Sequence, residues 1–451
     1  MATPRRAGDV PVIVVDALLE ERQRSGREIG VGIVGAGFMA TGLVSHITNT
    51  VTGMRVAVIY ARRPEQAISA LRVAVVHPSA VREVSSSAAI DTASASGEVA
   101  VTDDHDALVA ADAVDVVVDC TGAVELGARV ALGAIAAGKH IVLLNAEVDA
   151  TVGPLLAARA DDAGVVYTGC DGDQPGVQMN LLRFVRGLGM QPLVAGNVKG
   201  LQDRTRNPTN QAGFAARWGQ DPAMVTSFAD GTKVNVEQAL VANANGMSVH
   251  RRGMLGRDHD GHVDGLTERY EVEELRSMGG AVDYVVGARP GPGVFVLAEH
   301  DDPKQRHYLD LYKLGGGPLY SFYTPYHLCH FEVPTTIARA ALLGDATIRP
   351  SGTPRVDVIA MAKVDLQEGT VLDGLGGYHH YGECERADVA ADERLLPVGL
   401  AEGCRLVRPV RTDEPIGRDD VALPAGRLVD RLREEQDRSF GLGRPAPAAR
   451  T

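Results

Sequence analysis

Apolar residues in this chain come in short bursts, each followed by turn residues and then by a stretch with helical spacing. The first burst, Ile29-Gly30-Val31-Gly32-Ile33-Val34, runs into Gly35-Ala36-Gly37 and a helix expected over about 40–47. The rhythm returns at 54–60, with Pro64 opening a helix over 65–74, and at 114–120, followed by a helix through Ala137. It returns again at 138–147, before a helix over 154–163, and at 164–168. Five strands separated by helices predict a parallel α/β sheet. Upstream, residues 1–10 read as a frayed tail and 14–24 as a short helix. The small, polar stretch 84–99 reads as a surface excursion without chemistry, and 103–111 as a helix.

Past Gly169 the alternation changes. Gly172-Asp173-Gln174-Pro175-Gly176 opens a helix with Asp173 as its cap. Leu193 to Val198 is an apolar strand closed by Lys199, a helix starts near Gly231, and another covers 337–343. This pattern predicts a mixed α+β second domain. From Val356 to about Leu423 the bursts shorten: strand, turn and strand over 357–372, with Gly369 at the turn, then a glycine- and aromatic-rich loop over 376–382. His379 and His380 are read as part of that solvated loop. A charged helix over 425–438 and a Gly/Pro/Ala-rich, disordered end are expected last. The domain boundaries that follow are 1–27, 28–170, 171–348, 349–424 and 425–451.

The first turn suggests a ligand. In Gly35-Ala36-Gly37-Phe38-Met39-Ala40 two glycines allow a sharp turn and close backbone approach, and Ala40 lets the helix pack near the sheet. A strand before and a helix after make this the dinucleotide-binding arrangement of a Rossmann domain, with the helix N–H groups aimed at a diphosphate. The second strand ends in Tyr60-Ala61-Arg62-Arg63, where an NAD site usually carries Asp or Glu. Arg62 and Arg63 suit a 2′-phosphate, so NADP is preferred over NAD; as the plainer alternative both are solvated loop charges. Ligands of such sheets lie beyond the carboxyl strand ends, which places Asp119-Cys120-Thr121-Gly122 beside the nicotinamide ribose; Asn145, at the exit of the next strand, is a further cofactor-binding candidate. Cys120 is read as a packed residue rather than a nucleophile. Lys139 and His140, at a strand entrance, are read as structural.

Composition narrows the partners. Length, 451 residues, is enough for two or three domains, and the net charge of −13 argues against nucleic acid or an anionic membrane surface. No apolar run reaches the ~20 residues that span a bilayer. The five cysteines form no CxxC pair, which fits a reducing compartment and a cytoplasmic location.

Chemistry concentrates in the second domain. On a helix from Gly231, Lys233 and Glu237 share a face, Asp230 precedes them and Asn243 follows. With Lys199 they suit carbonyl–alcohol hydride transfer, a cation polarising the oxygen and a carboxylate handling the proton. The plain alternative is an exposed i,i+4 ion pair. Glu147, Asp173, Asn243 and His327 are the candidates for holding a small-molecule substrate; for His327 a capping or core role is the alternative.

Taken together, the fingerprint at 35–40, Asp119-Cys120-Thr121-Gly122, Gly138-Lys139-His140-Ile141-Val142 through Asn145, and Asp230 to Lys233 resemble the homoserine dehydrogenase superfamily. Asp171-Gly172-Asp173-Gln174-Pro175, Ser227 to Lys233 and Pro325-Tyr326-His327-Leu328 are more similar to its members with a carboxyl-terminal SAF domain, a small β-clip. The resemblance implies an NAD(P)-dependent oxidoreductase acting on a small polar hydroxy- or oxo-substrate, phosphorylated or not, bound between the first two domains of a homo-oligomer. It supports Lys199, Asp230, Lys233 and Glu237 as catalytic residues. One group in that family, the 1-deoxy-D-xylulose 5-phosphate reductoisomerase-like enzymes, adds a rearrangement and a divalent cation. A protein that only senses NADP is the non-catalytic alternative. Where homoserine dehydrogenases carry a lysine after the asparagine matching Asn145, this chain has Ala146 and Glu147, so homoserine itself is not expected.

Overall fold

The structure, a computed structural model, describes residues 15–442; the expected tail over 1–10 and the Gly/Pro/Ala-rich end lie outside them. Strands β1 (Ile29–Val34), β2 (Met54–Tyr60), β3 (Val81–Glu83), β4 (Val99–Thr102), β5 (Val116–Asp119), β6 (His140–Leu143) and β7 (Tyr167–Gly169) form one parallel sheet in the order β3-β4-β2-β1-β5-β6-β7. Its central strands are buried throughout, as a sheet covered by helices on both faces demands. Register brings Tyr60, Val34, Asp119, Leu143 and Gly169 abreast, so the fingerprint turn and the ends of β2, β5 and β6 share one edge.

Two of these seven strands correct the sequence reading. The stretch 84–99 is not an excursion: Ser86 caps a helix, Ser87–Ala95, that leads into β4 beside β2. Its residues are so small that only Ile90 and Ala93 are buried, which leaves almost no amphipathic contrast to read.

A second, mixed sheet holds β8 (Gln191–Lys199), β9 (Arg257–Asp258), β10 (Ala281–Val286), β11 (Gly293–Glu299) and β12 (Leu319–Thr324) in the order β12-β11-β8-β10-β9. The Thr232–Asn245 helix is buried from Thr232 to Asn243. A helix hidden on all sides has to satisfy its polar groups internally. It does so against the third region, where β13 (Val356–Ala362) pairs antiparallel with β14 (His380–Arg386). Thr232 Oγ1 accepts from Gly382 N–H at 3.0 Å and Asn235 Oδ1 from Cys384 N–H at 2.7 Å. The partner of β13 is therefore β14, not a strand ending at 372. His380, expected in a solvated loop, is fully buried in β14, and burial drives its imidazole down to about 4.

The last helix, Leu428–Ser439, returns to the first domain and repairs a helix there. Pro154 sits inside the Ala146–Ala163 helix, where it removes an N–H and strains the rungs around it. Both ends of the next rung are bonded by one side-chain amide: Gln436 Oε1 accepts from Leu155 N–H at 3.1 Å, and its Nε2 donates to Thr151 C=O at 3.3 Å. Arg433 also donates to Thr151 C=O and pairs with Asp357 of β13. Gln436→Ala is expected to cost roughly 1–3 kcal/mol by removing the side-chain acceptor of the buried Leu155 N–H, while Thr151 C=O keeps Arg433, read as a lower urea midpoint with the slope unchanged. A midpoint equal to the native one would show that the rung closes by itself.

Candidate active site

At the edge where β1, β2 and β5 end, a cleft of about 810 Å³ is lined by Gly35, Gly37, Tyr60, Arg62, Cys120 and Thr121, among others. Gly35 turns with φ +107°, and a Cβ there would press on the Cys120 carbonyl at 3.3 Å. Gly37 precedes the Phe38–Asn49 helix without a side-chain cap, so the first N–H groups, at Phe38, Met39 and Ala40, are free of intrahelical partners. No described atom stands within 4 Å of where a Gly37 Cβ would be. Free donors facing open space fit a dinucleotide diphosphate. Phe38 is exposed beside the turn, while Ala40 is fully buried against the sheet, the packing role assigned to it. Arg62 lines the cleft; Arg63 precedes the Pro64–Val73 helix and is not part of the lining.

Asn145 is not open to the cleft but braces it. Fully buried, its amide donates to Asp119 Oδ2 at 2.8 Å and to the Ala123 carbonyl at 3.1 Å, and its oxygen caps the Ala146–Ala163 helix at Val148 N–H. Asp119 in turn accepts from the hydroxyl and N–H of Thr121. Burial lifts the Asp119 carboxyl to about 6 against these donors. Gly122 follows at φ +68°.

Two residues past the brace, a polar ring begins. Glu147, in the first turn of the Ala146–Ala163 helix, forms a buried ion pair with Lys233, Nζ to Oε1 2.9 Å. Both side chains are 7% exposed, so the solvated i,i+4 pair weighed from the sequence is not what forms. Burial alone would depress the Lys233 ammonium, but Glu147, Asp173 and Glu237 outweigh it and hold its pKa far above the ordinary lysine value. Glu237, one turn on, is raised to about 7 by burial first and by Asp173 next, with Lys199 and Lys233 opposing. Its Oε2 accepts from Asn197 Nδ2 at 3.1 Å, and Asn197 Oδ1 accepts from Gln178 at 2.7 Å. Lys199, at the end of β8, is depressed by burial despite Glu237. Asp173 caps the Gln174–Gly187 helix, and Gln174 contacts His327 Nε2 at 3.2 Å. Burial also depresses His327.

The structure thus brings Glu147, Asp173, Lys199, Lys233, Glu237 and His327 together. It takes two candidates elsewhere. Asp230, expected to be catalytic, is buried against Lys363 of the third region at 2.8 Å. Asn243, expected to hold substrate, spends its amide on the backbone of Arg355 and Val356. Lys139 is structural as read, donating to the Val114 carbonyl. Among the described residues no three His, Cys, Asp or Glu side chains converge as a metal-holding set.

Sequence reasoning passed over Asn197 and Gln178, which look like ordinary strand and helix residues, and also Asp149 and Cys329. Cys329 Sγ lies 3.6 Å from His327 Nδ1, and burial pushes its thiol up to about 12. Asp149 bonds only Tyr167, at 3.1 Å, and its other oxygen is unpartnered among the described residues.

Residues 35–168 match the model of the homoserine dehydrogenase NAD-binding domain, and residues 172–333 match that of the catalytic domain of oxidoreductase DRL. The chain thus joins a region similar to an NAD-binding domain to one similar to an oxidoreductase catalytic domain. The first match holds Gly35, Gly37, Tyr60, Arg62, Cys120 and Thr121 of the cleft, and the second holds Asp173, Lys199, Lys233, Glu237 and His327. No curated protein matches the sequence. Among solved structures, myo-inositol dehydrogenase from Lactobacillus casei is 19% identical over 40% of this chain and 49% of its own, with a TM-score of 0.29. Biliverdin reductase from Synechocystis sp. PCC 6803 is 17% identical over 39% and 48%, TM-score 0.26. A probable dehydrogenase from Thermotoga maritima is 12% identical over 70% and 90%, TM-score 0.38. The chain spans about half the length of the first two. No helix among the described residues is long and apolar enough to cross a membrane.

Asp149 supplies a pH test. Its carboxyl is raised to about 7 by burial, above the ordinary value of 3.8. The native state therefore keeps a proton that the unfolded chain releases, and stability falls as pH rises between those two values. Asp149→Asn is expected to shrink the drop in urea midpoint between pH 5 and pH 8. An undiminished drop would assign it to other groups.

Proposed function

We propose that this oxidoreductase passes hydride between NADP(H) and a small polar hydroxy- or oxo-compound at the junction of its first two domains. The observation that carries the reading is the buried Lys233–Glu147 pair, two residues beyond the brace that fixes the nicotinamide-side strand ends. When bound, the nicotinamide supplies or accepts the hydride; side chains do the rest. Lys233 stays charged and can hold the substrate oxygen, stabilising negative charge as a carbonyl becomes an alkoxide. Glu237, near 7, is divided between its two forms at neutral pH and can give or take the hydroxyl proton, with Lys199 as its neighbour. His327 and Asp173 bound the ring and are placed to orient substrate hydroxyls.

Support for NADP over NAD comes from Arg62 on the cleft wall and from Tyr60 where a ribose-binding carboxylate would stand. The rearranging alternative, expected to use a divalent cation, draws no support from the ligand geometry.

Lys233→Met should lower kcat by about 10²–10³-fold while leaving NADPH affinity, measured by calorimetry, within about twofold. Turnover of hydroxy acids and polyols at the native rate would remove Lys233 from the chemistry. Arg62→Ala should weaken NADPH by about tenfold and NADH far less, and equal losses would remove the NADP preference.

A further inference from the structure

The cofactor cleft has a second wall that neither matched domain contains: Gly399, Glu402, Pro424, Arg427 and Val429 of the carboxyl-terminal segment face Gly35, Gly37 and Arg62 across it. Between the walls stands Glu125, in the first turn of the Val124–Ala136 helix. A bare carboxylate there would repel a diphosphate bound in the same cleft. It is not bare. Its Oε1 accepts from Leu428 N–H at 3.0 Å, its Oε2 accepts from Val429 N–H at 2.9 Å, and Arg129 pairs with it at 2.7 Å. The two N–H groups are the opening donors of the Leu428–Ser439 helix, the positive end of its dipole, and that helix lacks a side-chain cap of its own. Burial would raise the Glu125 carboxyl, yet these donors hold it below the ordinary range. The remaining charged groups on the cleft are Arg62, Arg427, which is committed to Asp430, and Glu402.

We propose that the carboxyl-terminal helix is a charge shield for the dinucleotide: by taking up Glu125 it lets the diphosphate share the cleft, which makes cofactor affinity conditional on docking of that helix. The proposal rests on the dinucleotide reading of the cleft. It adds a positioning role for Leu428, Val429 and Arg129, and Glu125 becomes the residue whose charge sets the effect.

Calorimetric titration of the full chain with NADPH tests both levels separately. Native protein that takes up no NADPH would refute the reading of the cleft, and the shield with it. Given native binding, Leu428→Pro removes one donor at a helix position that tolerates proline. It should weaken NADPH by about two- to fivefold, the scale of one charge at a helix end. Glu125→Gln should bind no more weakly than native, and the double variant Glu125→Gln, Leu428→Pro should return to the Glu125→Gln affinity. Arg129→Met gives the same test without touching the helix, and Glu125→Gln should rescue it too. Native affinity in Leu428→Pro and Arg129→Met, or failure of Glu125→Gln to rescue either, would overturn the shield. Thermal melting confirms that each variant is folded.

Discussion

A lysine and a glutamate from different domains, removed from water together, set the terms for the rest of this molecule. The Lys233–Glu147 pair joins the second domain's buried helix to the helix that follows β6. Taking either partner away would leave the other charge buried alone, which is far more costly than the pair is worth. The pair thereby ties the helix after β6 to the ring of carboxylates, lysines and His327 in the second domain. The same pair keeps Lys233 charged, so one interaction serves the architecture and also fixes the charge in the ring.

The ring shows how position divides similar groups among roles. Lys199, half-buried, and Lys233, buried, both stand near Glu237, yet only Lys233 has a carboxylate at hydrogen-bond distance, and their pKa values move in opposite directions. Glu147 and Glu237 differ likewise: one meets an ammonium, the other the neutral amide of Asn197. Without a charged partner at that distance, Glu237 is raised to about 7 by burial and can exchange a proton near neutrality.

Much of this was readable before any coordinates. The fingerprint at 35–40 carries its own context, and strong apolar bursts located five of the seven parallel strands. What escaped has a common physical cause. The Ser87–Ala95 helix is made of small residues with little amphipathic contrast. Asn197 and Gln178 act only through each other and Glu237, a partnership set by tertiary packing. Asp230 sits three residues before Lys233 and looks like part of the same constellation. Its direction is decided by Lys363, more than a hundred residues away. His380 looked like loop because glycines and aromatics surround it, whereas the ladder to β13 draws it inside.

The amide of Gln436 completing the helix interrupted by Pro154 has a consequence for how the chain comes into being. The cofactor domain is encoded early, but two backbone groups of one of its helices take their side-chain partner from a segment nearly three hundred residues later. During synthesis that domain would therefore wait, formed but unlatched, until the segment that carries Gln436 had been made and had docked.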